Sequence, residues 1–164
     1  MRIAVEQGLA SVTVQAVAAA AGVTKGGLFH HFPTKQALIA GMAEHYLALL
    51  DAEIDARMDK DPKAVGRFTR AYVETMLGGE AFGAGTPLSA LPLTALADPG
   101  LHPLWAAWIA RRLERHRETD SDPMLAIVRL AADGAWLAAV TESSQGLAPA
   151  TVRERLREMA GGSR

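Results

Sequence analysis

Hydrophobic residues recur along most of this chain at the three- and four-residue spacing of amphipathic helices. One such stripe predicts a long helix from Thr34 to about Met58. The stripe consists of Leu38, Met42, Leu49 and Ile54. Further helices are predicted over about 63–77, 87–97, 102–118, 122–142 and 149–160. No segment alternates with a period of two residues, so the pattern predicts an all-α fold.

Three of these predicted helices start with a capping residue followed by proline. The pairs are Asp61-Pro62, Thr86-Pro87 and Asp122-Pro123. The first residue of each pair can accept a hydrogen bond from an unpaired backbone N–H of the first turn. Proline at the first helical position does not remove a helical hydrogen bond, because a backbone N–H at that position would have no partner within the helix.

Two short helices and a tight turn are predicted within the segment VTVQAVAAAAGVTKGGLFHHF, residues 12–32. Thr13 is placed to cap the first helix and Thr24 the second, and Gly22 between them suits a left-handed turn residue. Leu28 is expected to anchor the second helix to the core. This arrangement is typical of a helix-turn-helix.

A pair of glycines, Gly26 and Gly27, stands just inside the start of the second short helix. Each glycine costs roughly 0.8–1 kcal/mol relative to alanine in a helix, so some benefit must offset the pair. A plain helical hairpin would account for Gly22 but not for these two. A recognition helix in the DNA major groove does account for them, because glycine lets the backbone approach the duplex closely.

Composition limits the possible classes of protein. The 164 residues are 49% hydrophobic and include no cysteine, which allows one ordinary core with a small second module and excludes thiolate chemistry. Residues 1–36 contain Arg2, Lys25 and Lys35 against Glu6, within a chain of net charge −1. A phosphate-facing surface and an ordinary solvated surface both fit this weak asymmetry.

The apolar segment from Met124 to Thr141 is interrupted by Arg129 and Asp133, which can pair as i and i+4 neighbours. We therefore expect it not to span a membrane, and the N-terminus has no signal-peptide pattern, so a cytoplasmic location is expected.

This helix is apolar nearly all round. Its second apolar face predicts a two-fold dimer interface with the 149–160 helix, and complete burial within the monomer is the alternative.

Catalytic and metal-binding patterns are absent from the sequence. There is no Gly-x-Ser-x-Gly elbow and no metal-binding His/Glu spacing. His30 and His31 are adjacent, so on a helix they diverge by about 100° and do not easily share a metal. We expect no enzyme activity, no metal and no cofactor.

The segment TVQAVAAAAGVTKGGLFHHFPTKQAL resembles the DNA-binding signature of the TetR family of transcriptional regulators. The similarity extends from Gly8 to about Leu38. It implies a DNA-facing recognition helix formed by Thr24, Lys25, Gly26, Gly27, Phe29, His30 and His31. It also implies phosphate contacts by Thr13 and Lys35. Phe29 stands where tyrosine is common in the family, which implies that a hydroxyl contact to DNA is missing.

The resemblance implies two domains: a DNA-binding domain at residues 1–45, and a helical domain at 46–164 that binds a small molecule and dimerises. Family members have a full first helix, of which residues 1–7 would be only the last two turns. We therefore expect either that the start assigned to the sequence is too late or that the DNA-binding head lacks part of its core.

Several large apolar side chains of the second domain are candidates to line a ligand pocket. They are Phe68, Tyr72, Met76, Trp105, Trp108 and Trp136. Ordinary core packing explains the same residues equally well. The sequence thus predicts a homodimeric, ligand-responsive repressor that binds a palindromic operator in double-stranded DNA. The alternative is a helical ligand-binding or dimerisation protein whose shortened head does not bind operator DNA.

Overall fold

The computed structural model describes residues 1–161 except 8–10, 84, 85, 87, 90, 94–97, 144 and 145. All regular structure in these residues is helical, which confirms the predicted all-α fold. The helices are α1 (Arg2–Gln7), α2 (Val14–Ala21), α3 (Lys25–His31), α4 (Lys35–Met58), α5 (Arg67–Gly78), α6 (His102–Arg115), α7 (Arg117–Asp120), α8 (Pro123–Val140) and α9 (Pro149–Ala160). Residues 91–93 form one further helical turn.

The predicted caps of the short helices are confirmed. Thr13 Oγ1 accepts a hydrogen bond from the backbone N–H of Ala16 at 3.1 Å, and Thr24 Oγ1 accepts one from Gly27 at 3.1 Å. Gly22 ends α2 with φ +67°, a left-handed conformation that suits glycine best. The local sequence therefore determines the turn between α2 and α3.

The predicted cap of α4 is confirmed in the same way, because Thr34 Oγ1 accepts from the N–H of Ala37 at 3.0 Å. Asp122 caps α8 by accepting from the N–H of Met124 at 2.7 Å, with Pro123 in the first turn. Both helices thus begin where the sequence pattern places their starts.

The prediction that Asp61-Pro62 starts a helix was wrong. Helix α5 begins only at Arg67, after Gly66 with φ +73°. A Cβ on residue 66 would lie 2.5 Å from the carbonyl oxygen of Ala160, so glycine is needed there. The carboxylate of Asp61 instead accepts hydrogen bonds from the Lys63 N–H and from Arg70. Asp61 therefore binds the Arg70 side chain instead of capping the start of a helix.

Two other predicted helices changed in extent. The helix expected over 102–118 is divided at residue 116 into α6 and α7. The helix expected to start at Thr86-Pro87 lies largely outside the described residues, and within its range only 91–93 are described as helical.

The N-terminal head consists of α1, α2, α3 and the first turns of α4. Its buried residues include Ala4, Val12, Ala18 and Leu38. The expected anchor, Leu28, is only half-buried and does not belong to the core cluster.

Phe32 anchors α3 instead, because its ring packs over Gly41 of α4. A Cβ on residue 41 would lie 2.6 Å from Phe32 Cε1. The ring and the glycine are therefore matched in shape, and the contact fixes α3 against α4.

The C-terminal body is organised around α5, which contacts α4, α8 and α9. Phe68, Tyr72, Val73 and Met76 of α5 are almost completely buried. Helix α6 packs against α4. Because α4 contributes to both the head and the body, it is the helix that connects them.

The apolar stripe predicted for α4 was partly wrong. Leu38 and Ile54 are buried as expected, but Leu49 is 38% exposed. Tyr46, Leu47 and Leu50 are buried in its place. A 24-residue helix that packs first in the head and then in the body does not keep one straight stripe, and no sequence window shows where the face turns.

The predicted pair between Arg129 and Asp133 of α8 was also wrong. Arg129 donates a hydrogen bond to Thr69 and lies 4.0 Å from the buried carboxylate of Asp120. Asp133 accepts from the hydroxyl of Tyr72. Each side chain is oriented by partners on other elements, which outweigh an i, i+4 contact worth about 0.2–0.5 kcal/mol.

Helix α8 is the one described helix that is long and apolar enough, by length and composition, to cross a membrane. Helices in the core of soluble proteins pass the same test. One side of α8, which includes Leu125, Val128, Ala132 and Trp136, is buried among the helices of the body. This packing agrees with a core helix.

Candidate DNA-binding surface and ligand-binding cleft

The residues predicted to contact DNA lie together around α3 and at the starts of α2 and α4. All nine are exposed: Thr13, Thr24, Lys25, Gly26, Gly27, Phe29, His30, His31 and Lys35. The hydroxyl oxygens of Thr13 and Thr24 accept backbone hydrogen bonds as helix caps, and each hydroxyl hydrogen is still able to donate to a phosphate. The head thus presents α3 to solvent.

The two glycines of α3 differ in their surroundings. A Cβ on Gly26 would meet no atom within 4 Å, so the fold itself places no demand on this position. A Cβ on Gly27 would lie 3.2 Å from Thr24 Oγ1, which is tighter than usual packing. The capping hydroxyl is therefore part of the reason for Gly27, whereas no described atom of the protein requires glycine at position 26.

Aromatic and imidazole rings form the C-terminal half of this surface. Phe29 is 51% exposed, although a phenylalanine of a monomeric protein is usually buried. The rings of His30 and His31 meet edge to face with centroids 5.5 Å apart. No group of three or more His, Cys, Asp or Glu residues in the described part of the chain is arranged to hold a metal. The surface suits stacking and hydrogen bonding.

A second candidate site is a cleft of about 410 Å³ between α5, α6, α8 and the 91–93 turn. Three of the six predicted ligand-contacting residues line it: Met76, Trp105 and Trp136. The indole N–H of Trp136 donates to the carbonyl oxygen of Ser89 at 3.0 Å, which fixes the ring at the wall of the cleft. The walls are mostly apolar, as in sites for small organic ligands.

The other three predicted residues, Phe68, Tyr72 and Trp108, are core residues that do not line this cleft. Phe68 stacks on His116 with centroids 5.1 Å apart. The indole N–H of Trp108 donates to Asp51 of α4 at 2.8 Å. Their role in the structure is to hold α4, α5 and α6 together.

Sequence reasoning missed the acidic residue of the cleft, Asp133. Burial raises the pKa of this carboxyl, against the opposing effects of the hydrogen bond from Tyr72 and the charge of Arg129. Burial, followed by the nearby Asp133 charge, raises the pKa of the Tyr72 hydroxyl. An acidic residue in a nearly uniformly apolar helix was the available sequence signal, but it was interpreted as a local ion pair.

A smaller apolar pocket lies next to the cleft and is shared between α4 and α6. Met42 and Tyr46 of α4 line one side, and Leu104 and Trp105 of α6 line the other. Trp105 therefore borders both cavities. The hydroxyl of Tyr46 is buried and has no hydrogen-bond partner among the described residues, and burial raises its pKa well above the ordinary value.

The side of α8 that faces away from the core is apolar and exposed. Leu130 is 70% exposed and Ile127 is 53% exposed, and Met124 and Leu137 are exposed on the same side. Gly134 lies between them, and a Cβ there would meet no described atom within 4 Å. Gly134 and Leu137 also line the cleft, so this exposed side borders it. Such a continuous exposed apolar stripe on one helix marks an interaction surface.

Two family models match the chain. A model described as "Bacterial regulatory proteins, tetR family" matches residues 1–42, which contain α1 to α3 and the start of α4. A model described as "Tetracyclin repressor-like, C-terminal domain" matches residues 66–161, which contain α5 to α9. No curated protein matches the chain at a significant level.

Proposed function

Since the chain belongs to the TetR family of bacterial regulatory proteins, we propose that it is a homodimeric repressor of transcription whose DNA binding responds to a small molecule. In this proposal residues 1–45 bind the operator and residues 46–164 bind the ligand and dimerise. The protein acts in the cytoplasm and has no catalytic role. The exposed glycine at position 26, which the fold does not require, is the observation that supports DNA binding most directly.

DNA recognition in this proposal divides into two kinds of contact. Lys25 and Lys35, with the hydroxyls of Thr13 and Thr24, bind phosphates and set the position of α3. The exposed face of α3, with Gly26 and its neighbours, lies in the major groove and reads base edges. Phe29 offers an apolar ring, which suits the methyl group of thymine.

The phosphate contacts are tested by measuring the salt dependence of DNA binding. Lys35→Ala should weaken binding to all duplexes by a similar factor and lower the slope of log K against log salt by about one unit. Lys25→Ala should behave in the same way. Lys60→Ala, an exposed lysine at the body end of α4, is the matched control and should leave the slope unchanged. A base-specific loss in Lys35→Ala would contradict a phosphate role.

The dimer is supported by the exposed apolar side of α8. A second copy related by a two-fold axis would cover Ile127, Leu130 and Leu137 with the same residues of its own α8. The open space at Gly134 would allow the two helices to approach closely. Exposed Met159 on the neighbouring α9 extends the surface toward the area of at least about 1,000 Å² that a stable interface needs.

Leu130→Arg tests this interface because it places a charge at the centre of the apolar stripe. Sedimentation of the wild type should show a dimer, and the variant should sediment as a folded monomer. Val65→Arg is the matched control, since Val65 is equally exposed at 69% but lies between α4 and α5. A dimeric Leu130→Arg variant would place the interface elsewhere.

Ligand control requires that the occupied cleft favours one position of the head. Trp105 borders both the cleft and the pocket beside Met42 and Tyr46 of α4. A ligand that moves Trp105 would therefore displace α4, which continues directly into the head. The spacing of the two α3 helices in the dimer would then depart from the roughly 34 Å that successive major grooves require.

A further inference from the structure

The cleft that the proposed function assigns to the effector is mostly apolar. Among the described residues that line it, the one acidic residue is Asp133, which is half-buried on α8. Two indole rings, Trp105 and Trp136, line the same cleft. His102 also lines the cleft, but it is an exposed residue at the first position of α6.

The carboxylate of Asp133 is only partly satisfied by the protein. Oδ1 accepts from the Tyr72 hydroxyl, and this is the one hydrogen bond that the described residues make to the Asp133 side chain. This donor is neutral, and the charge of Arg129 acts on Asp133 only from beyond ion-pair distance. A buried carboxylate in an apolar wall is costly unless a cation or several donors stabilise it.

The nearest cation on α8 is already paired. Arg129 lies against Asp120, and it donates to Thr69 Oγ1. Asp120 itself is 2% exposed and also accepts from the backbone N–H and the hydroxyl of Thr69. Arg129 is therefore held by Asp120 and Thr69, and Asp133 is the carboxylate beside the cleft that forms no ion pair among the described residues.

We propose that the ligand of this cleft is a lipophilic organic cation, whose positive centre lies against Asp133 and whose apolar groups lie against Trp105 and Trp136. Indole rings attract cations through their electron-rich faces, and the carboxylate supplies the opposite full charge. The cleft volume of about 410 Å³ suits a molecule of drug size. The inference rests on the proposed function only for the role of the cleft in regulation.

The test compares two ions of nearly the same size and shape but opposite charge, tetraphenylphosphonium and tetraphenylborate. Each is titrated into the full-length wild-type protein, and binding is followed by calorimetry and by tryptophan fluorescence. The cation should bind at least about tenfold more tightly than the anion, a difference of about 1.4 kcal/mol. Equal affinity, tighter binding of the anion, or no binding of the cation would overturn the proposal.

Variants then assign the preference to this cleft. Asp133→Asn keeps the side-chain shape and an acceptor for Tyr72, but it should reduce the cation-to-anion preference by about tenfold. Glu114→Gln, an exposed carboxylate on α6, is the control and should leave the preference unchanged. Quenching by the cation should persist in Trp108→Phe and decrease in Trp105→Phe, because only the latter removes a ring of the cleft wall.

DNA binding is measured separately, so that failure of this inference and failure of the proposed function are distinguishable. Cation binding that depends on Asp133 but leaves DNA affinity unchanged would support the ligand class and contradict regulation. DNA binding that responds to a neutral or anionic ligand would support regulation and overturn the cationic class. If Asp133→Asn fails to fold, the comparison of the two ions on the wild type still decides the question.

Discussion

The substitution Gly26→Ala tests separately whether protein stability and whether DNA binding require glycine at this position. Helix α3 spans Lys25–His31, and Gly26 is its second residue. A Cβ at this position would meet nothing within 4 Å, so alanine fits without any movement of the protein. The methyl group would project from the surface that we propose to lie in the major groove.

The stability of the free protein should rise. Replacing a helical glycine by alanine is worth up to about 1 kcal/mol. For a chain of this length that corresponds to a rise in melting temperature of roughly 2–4 °C. DNA affinity should move in the opposite direction. Loss of one close contact to a base is worth about 1–3 kcal/mol, which corresponds to a roughly 5- to 150-fold weaker complex.

The assay combines thermal denaturation with fluorescence anisotropy on labelled duplex DNA. Ala52→Gly is the matched control, because Ala52 is exposed on α4 within the body. It should lower the melting temperature by a similar amount and leave DNA affinity unchanged. Gly27→Ala should gain less stability than Gly26→Ala, since its Cβ would crowd Thr24 Oγ1 at 3.2 Å. Unchanged DNA affinity in Gly26→Ala would refute the close-approach explanation.

Three other predictions concern packing, pH and coupling. Gly41→Ala should lower the melting temperature although alanine has the better helix propensity, because overpacking against Phe32 costs about 1–3 kcal/mol. Adding Phe32→Leu to this variant should restore the melting temperature. A higher melting temperature in Gly41→Ala alone would contradict the 2.6 Å contact. Burial raises the pKa of Asp61, but its hydrogen bond from Arg70 and the further contacts outweigh this and lower the pKa overall. The pair therefore stabilises the fold above the ordinary carboxyl pKa and loses that contribution as the pH falls, so acid denaturation of Asp61→Asn should depend less on pH than that of the wild type. Finally, tetraphenylphosphonium and a specific duplex should each reduce the affinity of the protein for the other by the same factor, measured by tryptophan quenching. Equal affinity for the cation with and without DNA would contradict the coupling.

Local rules were sufficient for the parts of the fold that depend on neighbours in sequence. Thr13, Thr24 and Thr34 cap their helices because an oxygen three residues before an unpaired N–H can reach it whatever the rest of the chain does. Gly22 ends α2 for a similarly local reason. The all-α fold and the exposed α3 surface follow from these signals and from helical periodicity.

The predictions that failed depend on contacts between residues distant in sequence. Arg129 was assigned to Asp133, but its contacts with Thr69 and Asp120 become visible only when α5, α7 and α8 are packed together. The aromatic residues divide into core and cleft for the same reason. Trp105 and Trp108 are three residues apart on α6, yet only Trp105 reaches the cleft. Sequence spacing alone does not reveal this difference.

The central claim is that two α3 helices of a symmetric dimer read DNA. The most direct test is to let the protein select duplexes from a random-sequence pool. The account predicts enrichment of a palindrome whose half-sites are centred about 10 base pairs, or a multiple of that distance, apart. Gly26→Leu should abolish or change the selected sequence while the protein stays folded. Enrichment of no sequence by the folded wild-type dimer would contradict the account, and it would favour a ligand-binding protein that does not recognise an operator.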